Sequence, residues 1–295
     1  MRRKKTLVFA GQLKLDIFWP SKPREDRASV LSLHAGGFAK GSREDIEQLE
    51  IAVNLLREGF TVITMDYPLS LKDYDYAEVK RAVFRGKLGE VCYSAALTAS
   101  KACAEAIRFL CEQAEELDLN PKRMILLGSG AGAMTVLQTE FYRSVGVGTV
   151  NRTLGVGWRP VAVVAYAGAL TCKGRYVDYG RTPAPTMLVY GDQDKIMPTH
   201  RKYLPLGHNL FGPVRLQHEI RAAGGVCWRV AVNGGEHEVS AAFRETKSLF
   251  MRFVEQALAG GEMQSKIVQI AGLKVPVSGW SGKTTLDLLK ETETT

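Results

Sequence analysis

The chain has 295 residues, 45% of them hydrophobic, and a formal charge of +8. That is enough apolar material for a sizeable core in one extended α/β domain, and no stretch approaches the roughly 18 uninterrupted apolar residues that a membrane span requires. The Lys and Arg residues are scattered apart from a dense run at 2–5, so the charge reads as a solvated surface with a mild preference for anionic partners and excludes a nucleic-acid footprint.

From the N-terminus, the basic start MRRKKTLVFAGQLKLDIFW holds an apolar run at 6–11 that is too short for the core of a signal peptide. As written, the chain is expected in the cytoplasm; a misassigned start would make it secreted or periplasmic. Beta-rich runs at 6–10 and 13–19, separated by a Gly-Gln turn, predict an antiparallel hairpin. A buried strand is predicted at 29–33, and after it comes HAGGF, residues 34–38. Consecutive glycines let backbone N–H groups converge on a point that a Cβ would obstruct, as an oxyanion hole requires, although an ordinary glycine turn is spelled the same way.

Further strands are predicted at 61–65, 124–127, 161–166, 186–190 and 226–232, and helices at 46–57, 91–117, 131–143, 214–223 and 240–258. Short apolar strands alternating with helices indicate a mostly parallel central sheet covered by helices on both faces, behind the N-terminal hairpin. Residues 1–260 form the predicted α/β domain. Gly260 and Gly261 separate it from a tail, 261–295, whose IVQIAGLKVPV is expected as a packing strand or arm and whose polar end is expected to fray. The five cysteines (Cys92, Cys103, Cys111, Cys172 and Cys227) are odd in number and lack C-x-x-C spacing. They are expected as buried small hydrophobes, with no metal and no cofactor.

The passage MILLGSGAGAMTVL, residues 124–137, admits two chemistries. Gly128, Gly130 and Ala133 satisfy the dinucleotide fingerprint G-x-G-x-x-G/A, while Gly128 and Gly132 frame the nucleophile elbow G-x-S-x-G with Gly130 in the serine's place. A dinucleotide loop wants an acidic residue about 20 positions further on, and residues 145–170 contain none. The glycines also follow the third strand of the alternating series instead of the first. The tail holds a decoy of another kind, SGKTT, which has Val277 where a phosphate loop ending at Gly282, Lys283 and Thr284 needs glycine. The elbow reading therefore stands.

The remaining strand ends carry GDQDKIMP, with Asp192 and Asp194, and NGGEHEVS, with His237. A loop Asp is usually a cap and a loop His usually incidental. Here the chain order is glycine loop, elbow, Asp, His, each at the carboxyl end of a strand, which is the order of the α/β-hydrolases. Residues 13–258 resemble that superfamily in its carboxylesterase or hormone-sensitive-lipase-like branch. HAGGF resembles the branch's H-G-G-G-[FY]; LLREGFTVITMDYPLS resembles the segment crossing its fourth strand; AIRFLCEQAEELDLNPKRMILLGSGAGA resembles the helix, turn, strand and elbow before its nucleophile. The resemblance implies an oxyanion hole from the N–H groups of Gly36, Gly37 and Ala131, Asp194 as the acid and His237 as the base. Asp194 is preferred to Asp192 by G-x-x-D-x-x-[VIM]-P, matched by Gly191, Asp194, Met197 and Pro198.

The chain departs from the pattern at Gly130. Ester hydrolysis of this type needs a hydroxyl that surrenders its proton to the imidazole and attacks the carbonyl. Ser129 is adjacent, but the elbow turns neighbouring side chains in different directions. The expectation is a carboxylic-ester site for a small molecule, with its activity removed or reduced, or a catalytically silent descendant that binds a small ligand or partner. The segments available for a cap, 68–88 and 142–158, are short and rich in Tyr, Gly and basic residues, which favours short acyl esters or acetylated sugars over long-chain lipids.

Overall fold

The computed structural model describes residues 4–73, 88–155, 157–203, 208–271 and 273. The SGKTT decoy and most of the first cap segment lie outside the described residues. Two strands, β1 (Lys4–Phe9) and β2 (Leu13–Phe18), form the antiparallel hairpin. They lead into β3 (Ser29–Leu33), α1 (Ile46–Arg57), β4 (Thr61–Met65), α2 (Leu88–Glu112), β5 (Met124–Ser129), α3 (Ala131–Val145), α4 (Gly148–Leu154) and β6 (Ala162–Tyr166). Then come β7 (Leu170–Lys173), β8 (Thr186–Gly191), β9 (Arg201–Lys202), β10 (His208–Phe211), α5 (Pro213–Ala222), β11 (Cys227–Val232), α6 (Phe243–Ala259) and β12 (Lys266–Ile270).

Nine of these strands form one sheet in the order β1-β2-β4-β3-β5-β6-β8-β11-β12, antiparallel through β2–β4 and parallel from β4 onward. The predicted α/β class and N-terminal hairpin are thus observed. Alternate residues of each central strand bury against opposite helical layers: Leu31, Leu126 and Val163 against α2 and α3, and Val30, Ile125 and Val164 against α1 and α6. Burial on both faces is why the strands read as unbroken apolar runs. The chain goes from β3 through α1 to β4, then crosses back to β5 on the other side of β3. That reversal creates a crevice at the carboxyl ends of β3 and β5, the place where open α/β sheets bind ligands.

A small additional sheet, β7-β10-β9, lies outside the predicted strands. Its strands of two to four residues are too short to show a period-2 pattern, and β10 finds β7 by pairing across more than 30 residues. Helix α2 ends at Glu112, not 117. Beyond it the chain turns to bury Leu117, whose carbonyl accepts from Trp19 Nε1 at 3.0 Å. Tertiary packing ends a pattern that helical propensity alone would extend. Inside the tail segment, β12 pairs in parallel with β11 and gives the sheet its ninth strand.

Candidate functional site

Residues from four strand ends meet at the crevice. Strand β5 delivers Gly130 at φ 51°, ψ −113°, a backbone conformation that side-chain-bearing residues adopt only under strain. Helix α3 begins at the next residue, and it sits unusually close to β3. The Gly132 N–H donates to the His34 carbonyl at 3.1 Å, and a Cβ on Gly132 would lie 2.2 Å from the Leu33 carbonyl oxygen. Only glycine permits that approach. A Cβ placed on Gly130 would lie 3.4 Å from Ala35 Cβ and 3.8 Å from His237 Nε2. Ser129 is the last residue of β5 and is buried. Strand alternation puts its side chain on the same face as Ile125 and Leu127, within the layer that α1 and α6 cover.

The oxyanion candidates flank this point. Gly36 and Gly37 follow β3, and Ala131 is the first residue of α3. Among the described residues, their three N–H groups donate to no protein acceptor. The loop carrying the glycines is held by contacts that the sequence reading missed. Tyr67, just past β4, stacks on the His34 ring with centroids 4.2 Å apart, and its hydroxyl donates to the His34 carbonyl at 2.7 Å. The His34 Nδ1–H donates to the Ala35 carbonyl at 2.5 Å, and burial pushes the His34 pKa below its ordinary value. Further along the loop, Arg43 Nη1 meets Asp66 at 2.8 Å and its Nε lies 3.1 Å from the fully buried Asp16. An aromatic residue at a strand exit was the sole signal for Tyr67, and nothing in the spacing marked Arg43.

Strands β8 and β11 supply the other side. His237 opens a single 3₁₀ turn, His237–Ala241, that precedes α6. Its Nδ1 lies 2.8 Å from Asp194 Oδ2, and both side chains are at least nine-tenths buried. Asp194 Oδ1 accepts from the backbone N–H groups of Ile196 at 2.8 Å and Met197 at 2.9 Å. Those two bonds fix the carboxylate, so its second oxygen is aimed at the imidazole. Asp192 is exposed and caps the neighbouring loop instead, accepting from the Gly234 N–H at 2.8 Å. The loops after β8 and β11 are further joined by Gln193 N–H to the Gly235 carbonyl and by Lys195 to Glu236 at 3.0 Å. Asp194, His237, Gly130 and the glycine loop are therefore brought together. No group of three or more His, Cys, Asp or Glu side chains is placed to hold a metal ion among the described residues, and none of their helices is long and apolar enough to cross a membrane.

No family model and no curated protein matches the sequence. Solved structures do match the fold. They include an arylesterase at 17% identity, covering 88% of this chain and 84% of that one, with a TM-score of 0.54. A truncated carbohydrate esterase from gut microbiota matches at 15% identity, with 87% and 96% covered and a TM-score of 0.60. A thermophilic esterase of the planctomycete Thermogutta terrifontis, with butyrate bound, matches at 17% identity, with 87% and 92% covered and a TM-score of 0.56. At such identities the likeness is one of architecture: the chain has the α/β-hydrolase fold, as these esterases do.

Proposed function

We propose that the crevice is a carboxylic-ester site lacking only its nucleophile, and that it takes short acyl esters or acetylated sugars. The observation that supports this most is the surroundings of Gly130. A Cβ there would be 3.8 Å from His237 Nε2, while Nδ1 of the same ring is 2.8 Å from Asp194. A serine hydroxyl at 130 would thus fall within reach of the base. In this reading Asp194 orients the ring, and the N–H groups of Gly36, Gly37 and Ala131 receive the carbonyl oxygen as it gains charge.

With a hydrogen in place of the serine side chain, no acyl-enzyme forms at residue 130. What remains is ester binding and slow attack by water. His237 takes the water's proton as the hydroxide adds to the carbonyl carbon, the charge rests against the amides, and the departing alkoxide recovers the proton. Active sites stripped of a triad member retain roughly 10³–10⁴-fold over uncatalysed hydrolysis. Butyrate, bound in the Thermogutta terrifontis esterase, is the acid that a short acyl ester would release. A silent ligand-binding role for the same pocket is favoured by one observation, the absence of any side chain at 130.

Gly130→Ser tests the proposal on p-nitrophenyl acetate and butyrate. Turnover should rise by about 10³-fold or more and vanish in Gly130→Ser/His237→Ala, because the residues act as a unit. The substituted residue inherits a positive φ, so the melting temperature should fall, by the equivalent of about 1–3 kcal/mol. A folded Gly130→Ser protein inert towards every short acyl ester would leave the ligand-binding reading in its place. Strong unsubstituted turnover abolished by Ser129→Ala would put the nucleophile one residue earlier.

A further inference from the structure

A groove lies at the opposite end of the sheet from the crevice. The residues preceding β5, β6, β8 and β11 line up there with the C-terminus of α6 along an open groove of about 750 Å³. Its apolar walls come from Trp158, Pro160, Pro185, Val226, Leu258 and Met263. Its charges are all of one sign: Lys122, Arg123 and Arg159 line it, and no carboxylate does among the described residues.

The state of those cations matters. Arg123 is committed, its Nη1 donating to the Leu258 carbonyl at 2.5 Å at the end of α6. Arg159 makes one bond, from Nη2 to the Pro183 carbonyl at 3.0 Å, which leaves most of its guanidinium donors unused. Lys122 makes no side-chain bond, and neither Lys122 nor Arg159 has an ion-pair partner among the described residues. Unpaired surface cations also occur elsewhere, so what marks this groove is that its two lie beside apolar walls with no carboxylate among the described residues lining it. Two cations without ion-pair partners, lining one groove of ligand-sized volume with apolar side chains, suit a molecule with an apolar body and an anionic head.

We propose that this groove is a second binding site, for a small organic anion whose flat apolar body lies among Trp158, Pro185 and Met263 while its phosphate or carboxylate head is held by Lys122 and Arg159. The site is independent of the crevice and of what the crevice does.

Calorimetric titration of the full chain with 1-naphthyl phosphate, 1-naphthoate and neutral 1-naphthalenemethanol tests it. Saturable one-to-one binding of an anion is expected, at least tenfold tighter than the neutral compound. The phosphate and carboxylate arms tell which head is preferred. Lys122→Gln/Arg159→Gln should weaken the anion at least tenfold and leave the neutral compound unchanged; both residues are exposed, so the fold should survive. His237→Ala should change nothing. Equal affinity for the neutral compound, indifference to the double substitution, loss of binding in His237→Ala, or no saturable binding would each overturn the proposal.

Discussion

The two sides of the crevice are built by different means. In the proposed site the parts on the β3 and β5 side are backbone: amides of Gly36, Gly37 and Ala131, and a turn at Gly130, which carries no side chain. On the β8 and β11 side they are side chains, Asp194 and His237, carried on loops and fixed by hydrogen bonds. The difference teaches where each can be altered. A backbone site is defined by how closely elements approach, so where they touch, as at Gly132, adding one methyl group disturbs the fold. A side-chain site is defined by orientation, so an isosteric exchange can abolish its chemistry and leave the fold intact.

The largest effect should come from the side-chain half. In a Gly130→Ser background, Asp194→Asn should return ester turnover to the unsubstituted level, a loss of about 10³-fold or more, because the amide presents the wrong hydrogen-bonding partner to Nδ1. Stability should change by only about 1 kcal/mol, since the remaining oxygen can still accept from Ile196 and Met197. Rates and denaturation midpoints measured together would show whether chemistry and fold separate.

The backbone half should behave in reverse. Gly132→Ala puts a Cβ 2.2 Å from the Leu33 carbonyl oxygen and 2.6 Å from that of His34, and neither strand nor helix can yield cheaply. A loss of about 3 kcal/mol or more is expected in urea denaturation. An unchanged midpoint would mean that α3 and β3 are less closely packed than the Gly132–His34 bond indicates.

Tyr67→Phe is milder. It removes a buried hydroxyl that donates to the His34 carbonyl, but Gly132 still donates to that oxygen. About 1 kcal/mol should be lost, and the Gly130→Ser activity should fall with it if the hydroxyl's bond to the His34 carbonyl positions the glycine loop. The smallest effect concerns pH. Burial lowers the His34 pKa below 6.5, so the native state binds this proton less readily than the unfolded chain. Its contribution is therefore fully present above pH 6.5 and is lost as the pH falls from there towards the lower native value. Melting temperatures between pH 7.5 and 5 should fall on acidification, and His34→Gln should flatten that slope. An equal slope in the variant would locate the acid sensitivity elsewhere.

Much of this was legible in the amino-acid order because it depends on short-range pattern. Strands β3 and β4 and helix α1 coincide with their expected bounds, since a strand buried on both faces and an amphipathic helix announce themselves in a dozen residues or fewer. The pairing of His237 with Asp194 in preference to Asp192 agrees with the G-x-x-D-x-x-[VIM]-P spacing, because the turn itself ties one Asp194 oxygen to two nearby amides. Tertiary contact decided the rest. The sheet β7-β10-β9 exists through pairing between strands too short to carry a signal, and α2 stops where Leu117 is buried. Tyr67 reaches the glycine loop because β4 lies beside β3. The basic groove gathers residues from four strand entries and one helix end, separated in sequence by as much as 142 positions from Pro121 to Met263, and local pattern cannot express that convergence.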